Sequence, residues 1–181
     1  RMELSVLRRC GPDAASATHD AALAVLMGRV DGLVASMRSV VAQLRPPALD
    51  GGLAVALDWL VAEFTRHTPV PCEVDVDKGL LRLPPEAATM VFRIAQESLN
   101  NVRRHAGASR VRLQLREFDR QCELSVADDG NGFDVAAHRP GYGILGMEER
   151  ARALGGTLSL ESTPGRGTTV RLRFPAPPQA A

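Results

Sequence analysis

Glu97, Asn101 and His105 recur at intervals of four, so they share one face of any α-helix they occupy. Val91, Ile94, Ala95, Leu99 and Val102 fall mostly elsewhere on that helix. A carboxylate, a carboxamide and an imidazole aligned in this way can line a cleft. An asparagine oxygen is a neutral ligand suited to a magnesium ion that keeps several waters and takes its other oxygens from phosphate. Glu97 can orient or deprotonate a group one turn away. An ordinary solvated helix face accounts for the same three residues, and the helix taken alone favours that plainer reading.

Two glycine-bearing segments follow. Asp128-Asp129-Gly130-Asn131-Gly132 comes directly after an apolar alternating run. That places the Asp128 carboxylate at a sheet edge, able to accept a donor such as an exocyclic amine, with Gly130 and Gly132 allowing a sharp turn and a close ligand. A polar hairpin turn fits the same string. Gly141-Tyr142-Gly143-Ile144-Leu145-Gly146 then leads into a helix, where exposed backbone N–H groups can meet phosphate. It is not a Walker loop, since the terminal G-K-[ST] is absent. It satisfies G-x-G-x-x-G, but no strand runs directly into it within a βαβ unit, so it is no dinucleotide fingerprint. A flexible lid without a ligand is the plainer alternative.

The elements that must hold these residues read as follows. Residues 3–9 resemble the end of a helix stopped by Gly11-Pro12, with a small-residue linker after it. Leu23, Met27, Val30, Val34, Met37, Val41 and Leu44 alternate steps of four and three, the seam of a helix packed lengthwise on partners. A helix covering an edge of the main domain is the alternative; the narrow, sustained seam favours a bundle or dimer. Arg45-Pro46-Pro47 ends it. Residues 53–65 form a second helix with Leu53, Leu57, Leu60 and Phe64 inward, and residues 72–76 a short strand. Pro84-Pro85-Glu86 opens a long helix reaching about His105. Strands follow at 111–116 and 122–127 around a polar turn at Asp119, then a helix at 145–154 stopped by Gly155-Gly156, and a strand pair at 157–161 and 169–174. Hairpin strands interleaved with helices predict an α/β sandwich: a mixed, mainly antiparallel sheet with helices on one face, preceded by a helical segment. The domains are expected at 1–49, 50–175 and, as a disordered tail, 176–181.

Composition narrows the classes. The 181 residues carry 22 Lys+Arg against 21 Asp+Glu, which offers no polyanion surface and makes nucleic acid a poor partner. Cys10, Cys72 and Cys122 form no C-x-x-C pair, so neither a zinc site nor a disulfide framework is supported, and a reducing cytoplasm is the expected setting. The longest apolar run, 53–64, is too short for a membrane span and is broken by Asp58 and Glu63. The chain opens on Arg1, as an excised fragment would, and the parent is free to be membrane-anchored.

Taken together, the E-x-x-x-N helix, the D-x-G-x-G strand end, the glycine-rich lid and Gly167-Thr168 at the last strand resemble the Bergerat-type ATP-binding fold of histidine kinases, gyrase-type topoisomerases, a class of heat-shock chaperones and mismatch-repair ATPases. The wording of residues 92–106, FRIAQESLNNVRRHA, is similar to the N box of sensor kinases of the nitrate-sensor and desaturase-thermosensor type. So are GILGMEER at 143–150 with the Leu154-Gly155-Gly156 that follows, and the junction LRPPAL at 44–49.

The resemblance implies that Asn101 coordinates Mg²⁺, that Glu97 assists phosphoryl transfer, and that Arg104 and His105 stand near the phosphates of ATP. It implies that Asp128 accepts the adenine amino group, that Gly130 and Gly132 shape the pocket, that Gly141, Gly143 and Gly146 line the phosphates, and that Thr168 lies near adenine. Asp129 departs from the asparagine these kinases often carry. The lid at 133–140 is short, as is usual in this subfamily. The acceptor histidine of such kinases lies in a motif on the first dimerisation helix, expected before residue 1; His19 belongs to the linker, and His67 and His138 to surface loops. The implied activity is transfer to a histidine and then to an aspartate of a response regulator, in a homodimeric parent, with no membrane contact by this segment. An anti-sigma-type serine kinase is the alternative, opposed by the heptad helix and the R-P-P junction. A nucleotide-independent dimerisation module is opposed by Glu97, Asn101 and Asp128 occurring together.

Overall fold

The structure, a computed structural model, describes residues 46–77, 83–137 and 141–177. The helix end at 3–9, His19, the seam from Leu23 to Leu44, His138 and the last four residues of the tail lie outside them. Pro46 to the C-terminus forms one compact unit.

A 3-10 turn at Pro47–Gly51 buries Leu49, and Gly52, at φ 89°, swings the chain into α1, Leu53–His67. The expected inward set is buried, with Ala56 and Val61 added. His67 is the exposed last residue of α1 rather than a loop residue, its ring nitrogen 2.9 Å from the Glu63 carbonyl oxygen. Strand β1, Cys72–Val76, has the expected bounds. Helix α2, Pro85–Asn101, opens on proline with Glu86 in its first turn, and buries Ala88, Val91, Phe92, Ile94, Ala95, Ser98 and Leu99. It continues as a π turn, Val102–Ala106, ended by Gly107 at φ 58°.

Strands β2, Val111–Phe118, and β3, Gln121–Asp128, are joined through Asp119 and Arg120, both at positive φ. Two consecutive left-handed residues make the turn whose twist matches a hairpin, here without a glycine. Helix α3 spans Tyr142–Ala153, and β4, Thr157–Ser162, and β5, Thr168–Pro175, complete the sheet. Its order is β1-β2-β3-β5-β4. Only β1 and β2 are parallel, as a connection through a crossover helix allows; the other pairs are antiparallel.

One sheet face is apolar: Val111, Leu113, Leu115, Cys122, Leu124, Val126, Val170, Leu172 and Phe174 are all buried in one core with α1, α2 and α3. The other is a charged lattice. Arg112 meets Glu73, Arg116 meets Asp75, Arg173 meets Glu123, and Arg171 meets both Glu123 and Glu161 across neighbouring strands. The period-two pattern sorts the residues, and the core holds the helices to one side. The architecture is the α/β sandwich with a mixed sheet.

Helix α3 begins three residues ahead of the expected Leu145. The Gly141 carbonyl already accepts N–H groups from Ile144 and Leu145, at 3.0 and 3.2 Å. Met147 is fully buried, its sulfur meeting the Ser98 hydroxyl at 3.6 Å. Burying that side chain against α2 carries the helix back through Gly146 and Gly143, against their propensity.

Because Leu113 is wholly buried at the centre of β2, Leu113→Ala is expected to cost about 2–5 kcal/mol, read by urea denaturation. Arg112→Ala, on the charged face, is expected to stay within about 1 kcal/mol in the same assay.

Candidate functional site

The site gathers where β3 ends. Asp128 pairs with Val111 of β2 on one side and Thr168 of β5 on the other. One carboxylate oxygen accepts the Gly130 N–H at 2.9 Å. Burial pushes the carboxyl above its ordinary value; N–H groups of Gly130 and Thr168 pull it back, and the charge of Asp129 pushes it up again. A carboxylate has about four acceptor positions, so these contacts leave capacity for a ligand donor.

Glycines pack the surrounding backbone. At Gly167, φ 75°, a Cβ would overlap the Asp128 carbonyl oxygen. At Gly130, which is buried, it would overlap the Ala106 carbonyl oxygen, and at Gly132, φ 57°, the Thr163 carbonyl oxygen. The close approach read at Gly130 and Gly132 is therefore an approach to the protein's own backbone. Two hydrogen bonds seal it: Asn131 N–H to the Ala106 oxygen at 2.7 Å, and Gly165 N–H to the Asn131 oxygen at 2.6 Å.

Thr168 reaches this region through Ser162. The two hydroxyls lie 2.9 Å apart; the Ser162 hydroxyl also donates to the Gly167 oxygen at 3.0 Å and accepts the Phe133 N–H at 2.9 Å. Ser162 thus ties the start of the lid to the β4–β5 hairpin. It was not among the expected site residues, since a serine at a strand end carries no signal of its own.

The α2 residues meet the glycine cluster directly. Glu97 and Asn101, one turn apart and both half-buried, stand on the α-helical part. A Cβ at Gly143 would overlap the Glu97 carboxylate, so the first turn of α3 rests on it. The positive end of a helix beside a carboxylate is a favourable pairing. Gly141 is the N-cap with open space around it, and Gly146 accepts the Arg150 guanidinium at 2.7 Å. Gly143 and Gly146 thus lie inside the helix, not ahead of it.

His105 departs from its expected place. It lies in the π turn, where i→i+5 bonding spends one more residue per turn, so the α-helical spacing shared by Glu97 and Asn101 does not extend to it. Arg103, Arg104 and His105 are all exposed there, two guanidinium groups and an imidazole following closely on Asn101 in the chain. A separate groove of about 240 Å³ runs between α1 and α2, lined by Trp59, Phe64, Leu99 and Arg103 among others; Glu97, Asn101 and Asp128 do not line it.

Among the described residues, no group of three or more His, Cys, Asp or Glu is placed to hold a metal. A divalent ion here would draw on Asn101 and on oxygens brought by its ligand, the coordination magnesium accepts with phosphates. The donor set fits a polyphosphate nucleotide: a half-buried acceptor at Asp128, a neutral oxygen at Asn101, the Arg104 guanidinium with the His105 imidazole beside it in sequence, and the N-terminal turn of α3.

A family model described as "Histidine kinase-, DNA gyrase B-, and HSP90-like ATPase" matches residues 86–178. The chain is 35% identical over 163 residues to the sensor histidine kinase MctS of Rhizobium johnstonii, which covers 86% of this chain and 35% of that protein. It is 36% identical over 145 residues to the sensor histidine kinase LiaS of Bacillus subtilis, covering 79% of this chain and 40% of that protein. It thus spans well under half the length of these curated relatives. Among solved structures, the histidine kinase domain of a blue-light activated histidine kinase from Erythrobacter litoralis superposes with a TM-score of 0.63 at 20% identity, covering 96% of this chain and 90% of that one.

The raised carboxyl of Asp128 fixes the sign of one prediction. A carboxyl whose folded value lies above its unfolded value binds its proton more tightly when folded; its contribution to stability is greatest in acid and declines as pH rises through the folded value. Asp128→Asn removes the charge and keeps the acceptor for Gly130. Its Tm at pH 7 is expected to equal or exceed that of the wild type, and its advantage to vanish below about pH 4. Scanning calorimetry at both pH values reads this, and a lower Tm at pH 7 contradicts it.

Proposed function

Because the chain belongs to the family of histidine kinase-, DNA gyrase B- and HSP90-like ATPases, we propose that it binds ATP with Mg²⁺ as the catalytic region of a two-component sensor histidine kinase. Asp128 carries this reading: a half-buried carboxylate at a strand end, fixed by the Gly130 N–H and retaining acceptor capacity, suits the amino group of adenine. Thr168 and the turn shaped by Gly130 and Gly132 border the base. Asn101 supplies an oxygen to the magnesium ion. Arg104 faces the phosphates with positive charge, and His105 and the turn of Gly141, Gly143 and Gly146 face them with N–H groups.

Bound ATP supplies the phosphoryl group, and Mg²⁺ neutralises charge on its oxygens. Glu97 orients the attacking imidazole or takes its proton, one turn from Asn101. Since Gly143 rests on Glu97, the first turn of α3 helps to place that carboxylate. In the whole protein the phosphoryl group passes to a histidine and then to an aspartate of a response regulator, within a homodimer. Nucleic acid is not its target. No helix among the described residues is long and apolar enough to cross a membrane, and we place this region in the cytoplasm.

Calorimetric titration with ADP, with and without Mg²⁺, tests the nucleotide site. Saturable binding is expected, and Asp128→Asn is expected to weaken it at least about tenfold; no binding by the wild type would overturn the reading. In the full-length protein, Glu97→Gln is expected to slow phosphorylation of the acceptor histidine by about 10²–10⁴-fold while ATP affinity changes less than about threefold.

A further inference from the structure

Asp129 is exposed, yet both oxygens of its carboxylate are engaged. One oxygen accepts the N–H groups of Ser109 and Arg110, both at 2.8 Å; the other accepts the Ser109 hydroxyl at 2.6 Å. These bonds, the Ser109 hydroxyl foremost, hold the carboxyl down at about 2. Asp129 also donates its own N–H to the Arg110 oxygen at 3.3 Å. Its two successors grip the other end of the same segment: Gly130 lies against the Ala106 carbonyl oxygen, and Asn131 donates to it at 2.7 Å. Three consecutive residues therefore clasp Ala106 to Arg110 at both ends. That segment closes the π turn bearing Arg104 and His105, and Gly107, in the left-handed region, gives it no stiffness of its own.

We infer that Asp129 is a positioning residue: it acts through Ser109 and Arg110 to hold the π turn where Arg104 and His105 meet the phosphates, while the adjacent Asp128 serves the base. The inference rests on the nucleotide reading of the site and adds a division of labour between two neighbouring carboxylates. Its chemistry predicts which substitution succeeds. An asparagine at this position can accept both backbone N–H groups on its amide oxygen and donate from its amide nitrogen to the Ser109 hydroxyl, which rotates to accept. An alanine can do none of this.

Displacement titrations of the chain with adenosine and with ATP–Mg²⁺, on wild type, Asp129→Ala and Asp129→Asn, test it. Asp129→Ala is expected to weaken ATP–Mg²⁺ at least about tenfold and adenosine by less than about twofold. Asp129→Asn is expected to restore ATP–Mg²⁺ to within about threefold of the wild type. Equal weakening of both ligands by Asp129→Ala would reduce the residue to a general structural role and overturn the inference. So would unchanged ATP–Mg²⁺ binding, or an asparagine variant as weak as the alanine one, which would assign the effect to charge. A wild type that binds neither ligand overturns the nucleotide reading itself, and the inference falls with it.

Discussion

At Ala106 the carbonyl oxygen that ends the π turn accepts the Asn131 N–H and lies against Gly130, where any Cβ would overlap it. This backbone-to-backbone junction joins the end of the N-box helix to the end of the central strand. Glu97 and Asn101 are fixed along α2, Asp128 is fixed at the tip of β3, and here backbone contacts hold the two elements in register. Elsewhere α2 and the sheet meet through apolar side chains, which tolerate small shifts. A carbonyl against a glycine with a short hydrogen bond beside it tolerates very little. A similar contact on the far side, Gly167 on the Asp128 oxygen, fixes the same strand end against β5. Asp128 is thus held from both flanks by residues that have no side chain to yield.

Much of the architecture was legible because it rests on period and punctuation. The alternation through Cys122, Leu124 and Val126 placed Asp128 at a strand terminus, and Pro84-Pro85-Glu86 placed the start of α2. The start of α3 was not legible. Glycine in a helix interior costs about 1 kcal/mol relative to alanine, so Gly143 and Gly146 argue locally for a loop. What overrides them is tertiary: Met147 seated on Ser98, and room over Glu97 that only glycine leaves. The π turn was equally hidden, since nothing in VRRHA distinguishes i→i+5 from i→i+4 bonding. Its end, at Ala106, is bound by residues 130 and 131, far along the chain.

The glycines of the D-x-G-x-G string show a related limit. Their presence was a true signal of close approach, but residue type cannot say what approaches. At both positions the neighbour is protein backbone, so these glycines let the turn pack on the chain itself. Asp129 was read only as a departure from asparagine within a turn. Its three donors come from Ser109 and Arg110, about twenty positions away, and a hydrogen-bonded clasp of that span leaves no local pattern.

The two adjacent carboxylates show how one short turn sets opposite environments for like groups. Asp129, in water with three donors around it, is more acidic than usual; Asp128, half-buried with fewer donors, is less acidic. Each sets part of the other's environment, since the charge on Asp129 adds to the upward pressure on Asp128. The hydrogen bonds of the outer residue secure the turn, and the turn holds the inner residue in a setting that disfavours its charge. A carboxylate so placed is an under-satisfied acceptor, and a donor brought by a ligand relieves it. The cost of Asp128 to the folded chain and the recognition role proposed for it would therefore have the same origin: burial without a full set of donors.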